Sequence, residues 1–102
     1  MATKAAEYTY ALGRRKSATA RVRLYKGKGN VTINGKTASE YFDGSPQLLR
    51  EINKPFVLLE KENQYDITVV VEGGGTRGQA DAIRLGISKS LVVLNEDYKS
   101  TL

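Results

Sequence analysis

The chain has no cysteine, no histidine and no tryptophan, and only two prolines among its 102 residues. Without cysteine there can be no disulfide and no thiolate metal site. Without histidine as well, the usual zinc ligand sets and histidine-dependent catalytic triads are excluded. We therefore expect no metal site and no catalytic residue, and we do not expect an enzyme.

Long apolar runs are also missing. No stretch approaches the roughly 20 apolar residues that a membrane-spanning helix needs, and residues 1–7 hold no apolar core of a signal peptide. Together with the lack of cysteine, this favours a cytoplasmic protein without a membrane partner. The length suits one domain, so we interpret residues 1–102 as a single domain with a short flexible N-terminus at residues 1–7.

Acidic side chains are absent from about a third of the chain. Residues 8–39 hold eight Lys or Arg and no Asp or Glu, whereas the other 70 residues hold eight basic and eleven acidic side chains. A segment of net charge +8 is thus joined to a remainder of net charge −3. This segregation of charge indicates a polyanionic partner, and nucleic acid is the leading class.

Alternation of apolar and polar residues predicts three strands, at residues 18–24, 31–33 and 64–72. The turn-forming residues 27–30 are expected to join the first two as an antiparallel pair, and Asn34-Gly35 predicts a tight turn. The third strand is the most apolar, and we place it at the centre of the sheet.

Capping signals predict the helices. A capping box at residues 37–40 begins a short helix, and Ser45-Pro46 begins a second one that Pro55 should end. Thr76 and Gln79 are expected to cap the longest helix, which covers the sheet, and Asn95-Glu96-Asp97-Tyr98 are expected to cap a last short helix that runs to the end of the chain. The apolar side chains of the longest helix recur at three- and four-residue spacing: Ala80, Ile83, Ile87, Leu91 and Leu94.

Basic residues cluster around the first predicted strand. Such a cluster binds RNA strongly and in a salt-dependent manner, because each neutralised phosphate releases counterions. Folded RNA is read more by shape and backbone than by base edges. The alternative is that these charges only keep an exposed strand soluble. The predicted phosphate-contacting surface consists of Arg14, Arg15, Lys16, Arg21, Arg23, Lys26 and Lys28.

The run Gly73-Gly74-Gly75-Thr76-Arg77-Gly78 matches a dinucleotide fingerprint between a strand and a helix. Too few residues follow for the remaining βαβ units, and Gln79 stands where a phosphate-binding Walker loop needs lysine, so we expect no cofactor. Two interpretations remain. The helix start binds an RNA phosphate with help from Arg77, or the glycines only make a tight turn, with Gly86 allowing close helix packing.

Two other residue sets have alternative roles. The six tyrosines could stack on unpaired bases, although we expect most of them to complete the edge of the core. Glu60 with Glu62, or Asp66 with Glu72, could serve as an acid–base pair in an enzyme, but we interpret them as solvated charges at strand ends.

Three separated motifs carry a family resemblance. They are A-L-G-R-R-K-S-A-T-A-R-V at residues 11–22, I-N-G-K at residues 33–36 with Glu40-Tyr41-Phe42, and G-G-G-T-R-G-Q-A-D-A-I-R-L-G-I at residues 73–87. In this order they resemble the universal small-subunit ribosomal protein S-nine. The resemblance covers the chain from Tyr8 to Leu102.

The resemblance implies an α/β (α+β) fold, a two-layer sandwich with a four-stranded mixed sheet covered by helices, as in the second domain of ribosomal protein S-five. It also implies a structural constituent of the small-subunit head that supports translation. Its partners would be the 3′ major domain of the ribosomal RNA and neighbouring head proteins. By motif position, the implied RNA contacts are Arg14, Arg15, Lys16, Arg21, Gly73, Gly74, Gly75, Arg77, Gln79 and Arg84.

Members of this family continue into a long basic C-terminal tail that reaches transfer RNA in the peptidyl site, whereas this sequence stops at Leu102. We expect a trimmed core with reduced affinity for ribosomal RNA, whose direct contact with transfer RNA is in doubt. Two alternatives stay open: a free-standing RNA-binding module of the same fold, and a nucleotide-binding enzyme that uses the glycine-rich turn at residues 73–78, here called the glycine turn.

Overall fold

Five strands and three helices make up the described part of the chain, which in this computed structural model comprises residues 8–58 and 65–94. The last short helix, predicted to begin at residues 95–98, and the flexible N-terminus predicted at residues 1–7 lie outside it. None of the helices described is long and apolar enough to cross a membrane. In chain order the elements are β1 (Thr9–Arg15), β2 (Ala18–Lys26), β3 (Val31–Ile33), β4 (Lys36–Thr37), α1 (Ala38–Tyr41), α2 (Pro46–Leu58), β5 (Tyr65–Glu72) and α3 (Thr76–Leu94).

The strands form one mixed sheet in the order β1-β2-β5-β3-β4. Neighbours are antiparallel except β5 and β3, which run parallel and are joined by a crossover through α1 and α2. The expected α+β fold with a helix-covered mixed sheet is confirmed, and so is the central position of β5. The described sheet has five strands rather than four, because β4 folds back on β3.

Strands β2 and β3 are not neighbours, so the prediction that they pair through residues 27–30 is wrong. The reason lies at the start of β5, where Asp66 Oδ1 accepts hydrogen bonds from the backbone N–H groups of Lys28, Gly29 and Asn30 at 2.9, 3.2 and 3.0 Å. The Ile67 N–H also donates to the Asn30 carbonyl at 2.8 Å. These bonds hold the loop at residues 27–30 against the start of β5. Strand β5 therefore lies between β2 and β3 and pairs with both.

Strand β1 was not predicted, because its inward positions carry little apolar surface. Ala11 and Gly13 face the core, and helix α3 lies so close that a Cβ on Gly13 would be 2.0 Å from the Ala82 carbonyl oxygen. The strand is recruited by backbone pairing with β2 over seven residue pairs. Small side chains there let the helix approach the sheet.

The Asn34-Gly35 turn is confirmed. Both residues have positive φ, 51° and 83°, as a two-residue hairpin between twisted strands requires. The Asn34 side chain also continues the pairing of β3 with β5: its Nδ2 donates to the Val71 carbonyl and its Oδ1 accepts from the Val71 N–H, each at 2.9 Å. The turn is thereby fixed to the central strand.

The helices pack on one face of the sheet. On α3 the predicted apolar stripe is confirmed for Ala80, Ile83, Ile87 and Leu91, which are fully buried. Leu94 is 46% exposed and lies outside the core, contrary to the prediction. The helix has run past the covered part of the sheet by its last turn.

The start of α1 and the start of α2 are as predicted. Thr37 Oγ1 accepts from the Glu40 N–H at 3.1 Å, and Glu40 Oε1 accepts from the Thr37 N–H at 3.2 Å, which is a capping box. Ser45 Oγ accepts from the Leu48 N–H at 3.4 Å. The predicted end of α2 at Pro55 is wrong, because the helix continues to Leu58. The proline ring is buried in the core, and this burial offsets the lost backbone hydrogen bond.

The capping box predicted at the start of α3 is also wrong. The Gln79 N–H donates to the Gly75 carbonyl at 2.9 Å, so the helix already includes Thr76. The Gln79 side chain turns back instead to the Gly73 carbonyl, which its Nε2 contacts at 3.0 Å. The residue that precedes the helix is therefore Gly75, which has no side chain to accept a hydrogen bond from the first helical N–H groups.

Candidate nucleic-acid interface

Arg14, Arg15 and Lys16, here called the basic turn, close the hairpin between β1 and β2. All three are exposed. Lys16 has a φ of 55°, in the left-handed region that tight turns use. Neither ion pair seen within the described ranges involves these side chains. Their charges therefore face solvent at one end of the sheet.

The glycine turn packs against Ser17 and Ala18, the two residues that follow the basic turn. Gly73 and Gly74 have φ values of 81° and 62°, which side chains other than glycine rarely adopt. A Cβ on Gly73 would lie 2.2 Å from the Ser17 carbonyl oxygen, and one on Gly74 would lie 3.1 Å from Ala18 Cβ. Both conformation and contact require glycine at these two positions, so they make a tight turn, and the binding of a phosphate at the helix start stays a prediction. The fold also brings together two motifs that are far apart in the sequence.

The N-terminus of α3 opens beside the basic turn. A Cβ on Gly75 would meet nothing within 4 Å, and one on Gly78 would lie 3.9 Å from the Arg15 carbonyl oxygen. The first backbone N–H groups of a helix have no acceptor within it, and they carry partial positive charge. Thr76 and Arg77 are exposed. The helix start thus presents free amides and one arginine to an incoming anion.

Gln79, a predicted RNA contact, is already engaged within the protein. Its Oε1 accepts from the Tyr41 hydroxyl at 2.6 Å, and its Nε2 donates to the Gly73 carbonyl. Sequence reasoning missed Tyr41, which links α1 to the glycine turn through this amide. Tyr41 belongs to the Glu40-Tyr41-Phe42 motif of the sequence, but its hydrogen bond to Gln79 is visible only in the fold. Gln79 positions the turn.

Arg84, a second predicted contact, lies between two helices. Its Nε is 3.1 Å from Glu51 Oε2, an ion pair between α3 and α2 whose geometry is not that of a hydrogen bond. Both side chains are about one-third exposed, 38% for Arg84 and 32% for Glu51. Its charge is therefore partly compensated, and it lies two helical turns from the glycine turn.

The sheet face opposite the helices, here called the open face, is covered by no described helix. On β2 it carries Thr19, Arg21, Arg23 and Tyr25, which alternate with the buried Ala18, Ala20, Val22 and Leu24. Tyr8, Tyr10, Leu12 and Arg14 continue it on the β1 side, and Asp66, Thr68, Val70 and Glu72 continue it on β5.

The two arginines of β2 have different surroundings on the open face. Arg21 makes a loose ion pair with Glu72, 3.8 Å between Nη1 and Oε2, with both side chains about half exposed or more. The Arg23 guanidinium lies over the rings of Tyr8 and Tyr10, 5.5 and 5.6 Å from their centroids. A hydrogen bond with the Tyr8 side chain raises the pKa of Arg23 from its ordinary value.

Lys26 and Lys28 lie at the opposite end of β2 from the basic turn. The strand has nine residues, and at about 3.3 Å per residue its ends are roughly 25–30 Å apart. Asp66 holds this loop: the backbone N–H groups of Lys28, Asn30 and Gly29 lower the pKa of its carboxyl. The predicted basic residues therefore form two cationic groups at opposite ends of β2, and Arg21 and Arg23 lie between them on the open face.

The acidic pairs considered for an enzyme do not converge. Asp66 and Glu72 lie six residues apart on one strand, which separates them by roughly 20 Å, and each has another partner. Glu60 and Glu62 lie outside the described residues. Among residues 8–58 and 65–94 no group of acidic side chains could hold a metal ion.

The chain matches a family model described as ribosomal protein S9/S16 over residues 13–102. A Bifidobacterium animalis protein named small ribosomal subunit protein uS9 is 53% identical over 88 residues, which are 86% of this chain and 53% of the relative. Proteins of the same name are 49% identical in Nostoc punctiforme, covering 88% of this chain and 65% of the relative, and 44% identical in Christiangramia forsetii, covering 94% and 74%. The chain spans about half to two thirds of the first two relatives.

A helix-covered mixed sheet with a solvent-facing basic turn beside a helix N-terminus defines a small α+β protein with a surface suited to a polyanion. The family match covers nearly all of the described residues. The chain therefore belongs to the ribosomal protein S9/S16 family, and the resemblance carried by its three motifs is confirmed.

Proposed function

We propose that the chain is a structural constituent of the small ribosomal subunit that supports translation by binding ribosomal RNA. Membership of the S9/S16 family supports a ribosomal role, as do relatives named small ribosomal subunit protein uS9. Within this proposal the protein acts in the cytoplasm, in the head of the subunit. It binds the 3′ major domain of the RNA beside neighbouring head proteins.

One observation supports the proposal most strongly: the packing of Gly73 on Ser17, which sets the start of α3 beside the basic turn. The basic turn and the free amides of the helix start then lie at the same end of the sheet. This combination suits RNA phosphates, since arginine forks and helix N-termini both bind phosphate oxygens. Arg77, which is exposed in the first turn of α3, adds a fourth cation near the helix start.

The other predicted contacts have subsidiary roles in this proposal. Lys26 and Lys28 bind phosphates at the far end of β2, so the protein spans a stretch of RNA backbone rather than a single point. Arg21 and Arg23 lie between these ends on the open face. Gln79 and Arg84 act by holding the glycine turn and by fixing α3 to α2, because their polar groups contact the protein.

A salt titration of RNA binding tests the basic turn. We expect a variant with Arg14→Ala, Arg15→Ala and Lys16→Ala to bind a head-domain RNA fragment, with neighbouring head proteins present, more weakly than the parent chain. The slope of log K against log salt should become shallower by up to about 0.9 for each phosphate that the variant no longer neutralises. Filter binding or fluorescence anisotropy at several salt concentrations measures both quantities.

The matched control removes the same charge from another surface. Lys36, Arg50 and Lys54 are exposed on β4 and α2, and their replacement by Ala should leave the slope closer to that of the parent. Equal slopes for the two triple variants would show that only net charge matters and would contradict a site at the basic turn. Binding that needs no head proteins would favour the free-standing module.

A further inference from the structure

Four tyrosines of the described residues fall into two pairs that the sequence did not separate. Tyr41 and Tyr65 pack against the core, as expected for most tyrosines. Tyr8 and Tyr10 are 46% and 45% exposed and lie on the open face. Single exposed rings are common on protein surfaces, but several rings together on one face form an exposed patch of the kind that marks an interaction site.

The exposed rings are ordered by an arginine on the neighbouring strand. Tyr10 is paired with Arg23 in the antiparallel register of β1 and β2. The guanidinium lies 5.5 Å from the Tyr8 centroid and 5.6 Å from the Tyr10 centroid, within the distance at which a cation is attracted to a ring face. Tyr25 lies on the other side of Tyr8, with ring centroids 5.4 Å apart and planes tilted by 51°.

These contacts preorganise the cluster of Tyr8, Tyr10, Arg23 and Tyr25, here called the aromatic cluster. Two of its rings keep nearly half their surface free while their positions are restrained. Stacking of a ligand on this cluster therefore costs less protein side-chain entropy than stacking on surface tyrosines that rotate freely. Flat π surfaces beside a guanidinium plane are the groups on which nucleobases stack.

The charges around the aromatic cluster match a phosphate-linked ligand. On β2, Arg21 precedes it on the same face and Lys26 follows it, and Lys28 lies in the loop beyond. Of the nearby acids, Asp66 accepts hydrogen bonds from three loop amides and Glu72 partly compensates the charge of Arg21 through a loose ion pair, which leaves Arg23 and Lys26 as cations outside the ion pairs seen in the described residues. Protein interfaces are also enriched in Tyr and Arg but are depleted of Lys, whereas Lys26 and Lys28 lie next to this cluster. Aromatic rings between cationic ends suit a single-stranded nucleic acid.

We propose that the aromatic cluster is a second RNA site, which stacks an unpaired base on the open face. The inference rests on the proposed function only in that the ligand is RNA. The chemistry is different, since the basic turn binds phosphates and this cluster binds the faces of bases. The RNA then runs along β2 between the two cationic ends, with its bases toward the sheet.

The test uses the full chain and two probes, a single-stranded oligoadenylate and an abasic ribose-phosphate oligomer of equal length. The double variant Tyr8→Leu and Tyr10→Leu should bind the oligoadenylate roughly tenfold more weakly, with an unchanged salt slope because it still neutralises the same phosphates. Tyr8→Phe with Tyr10→Phe keeps the ring faces and should bind within about twofold of the parent. Parent and Leu variant should bind the abasic probe equally.

A spectroscopic signal separates stacking from mere proximity. The chain has six tyrosines and no tryptophan, so tyrosine fluorescence can be read directly. We expect oligoadenylate, but not the abasic probe, to quench this fluorescence in the parent chain, and we expect the Leu variant to lose that part of the quenching. This comparison of the two probes on the parent chain needs no mutation, so it holds even if a variant fails to fold.

Separate outcomes distinguish the two proposals. Equal binding of oligoadenylate by the parent and a folded Leu variant, or equal affinity of the parent for both probes, would overturn the stacking site and leave the open face for a protein partner. An Ala variant of the basic turn that keeps its slope, together with a weakened Leu variant, would contradict the phosphate site and support stacking.

Discussion

The conformation of the loop at residues 27–30, which follows Lys26 and contains Lys28, depends on Asp66. Its Oδ1 accepts three backbone hydrogen bonds from residues 28–30. Gly27 makes this possible, because a Cβ there would lie 2.0 Å from the Asp66 carboxyl carbon. One carboxylate and one glycine thus hold Lys26 and Lys28 at the end of the sheet.

Replacing Asp66 with Ala should destabilise the protein by about 1–2 kcal/mol, because three backbone donors lose a charged acceptor while solvent partly replaces it. Urea unfolding at neutral pH, followed by circular dichroism, measures the change. Asp66→Asn is the control, since its amide oxygen can still accept; it should fall between the parent and Asp66→Ala. Equal stability of all three proteins would mean that the loop is held by other contacts.

The same carboxylate predicts part of the pH dependence of stability. Hydrogen bonds from the backbone of Lys28, then of Asn30 and Gly29, lower the pKa of Asp66 in the folded state. A lowered folded pKa stabilises the protein fully above the unfolded value of about 3.9, and this contribution is lost as pH falls through the folded pKa. The parent should therefore lose stability more steeply below about pH 4 than Asp66→Ala does. Parallel acid limbs in the two unfolding profiles would refute this.

At the scale of elements, the contact of α3 with β1 and β2 depends on two glycines that face each other. A Cβ on Gly13 would lie 2.5 Å from the Gly86 backbone nitrogen, and a Cβ on Gly86 would lie 2.6 Å from Val22 Cγ2. Close approach lets the helix bury small side chains such as Ala82 against the sheet. The same approach explains why β1 carries no apolar stripe.

Two substitutions within α3 should have opposite signs. Gly86→Ala should destabilise the protein by about 1–3 kcal/mol, since the added methyl group overpacks against a stiff valine. Gly78→Ala meets only ordinary contacts at 3.9 Å or more, so it should stabilise the helix by about 0.5–1 kcal/mol. Thermal unfolding of the two variants compares them directly. A stabilising Gly86→Ala would mean that the helix can shift away from β2 at little cost.

At the scale of the whole molecule, the fold places the basic residues that cluster in the sequence mainly in the sheet layer. The segment of residues 8–39, which lacks acids, forms four of the five strands. The three helices carry five basic and three acidic residues, a net charge of +2, whereas the five strands carry six basic and two acidic residues, a net charge of +4. The sheet layer is therefore the more cationic side of the molecule, and it is the side on which RNA is expected to bind.

RNA should stabilise the whole domain through this layer. At a free RNA concentration of 100 times Kd, binding to the folded state alone adds about 2.7 kcal/mol, which for a domain of this size raises Tm on the order of 10 °C. Thermal melting with and without the head-domain fragment measures the shift. The basic-turn Ala variant, at the same RNA concentration, should show a smaller shift, and high salt should abolish it in both. A salt-independent shift would point to binding without phosphate contacts.

The sequence by itself determined the local features of this protein. Alternation located β2, β3 and β5, the Asn-Gly pair located the hairpin turn, and the Thr37–Glu40 capping box located α1. Three motifs were enough to place the chain in its family. These signals operate over a few residues, where backbone sterics and side-chain capping act without help from the rest of the chain.

Only the tertiary structure decided how distant segments meet. It inserted β5 between β2 and β3, recruited β1 through backbone pairing, and set the glycine turn beside the basic turn. It also engaged Gln79 and Arg84 within the protein and left Tyr8 and Tyr10 exposed on a cationic face. Such choices depend on which faces can be buried together and how closely backbones can approach, and no local pattern encodes that competition.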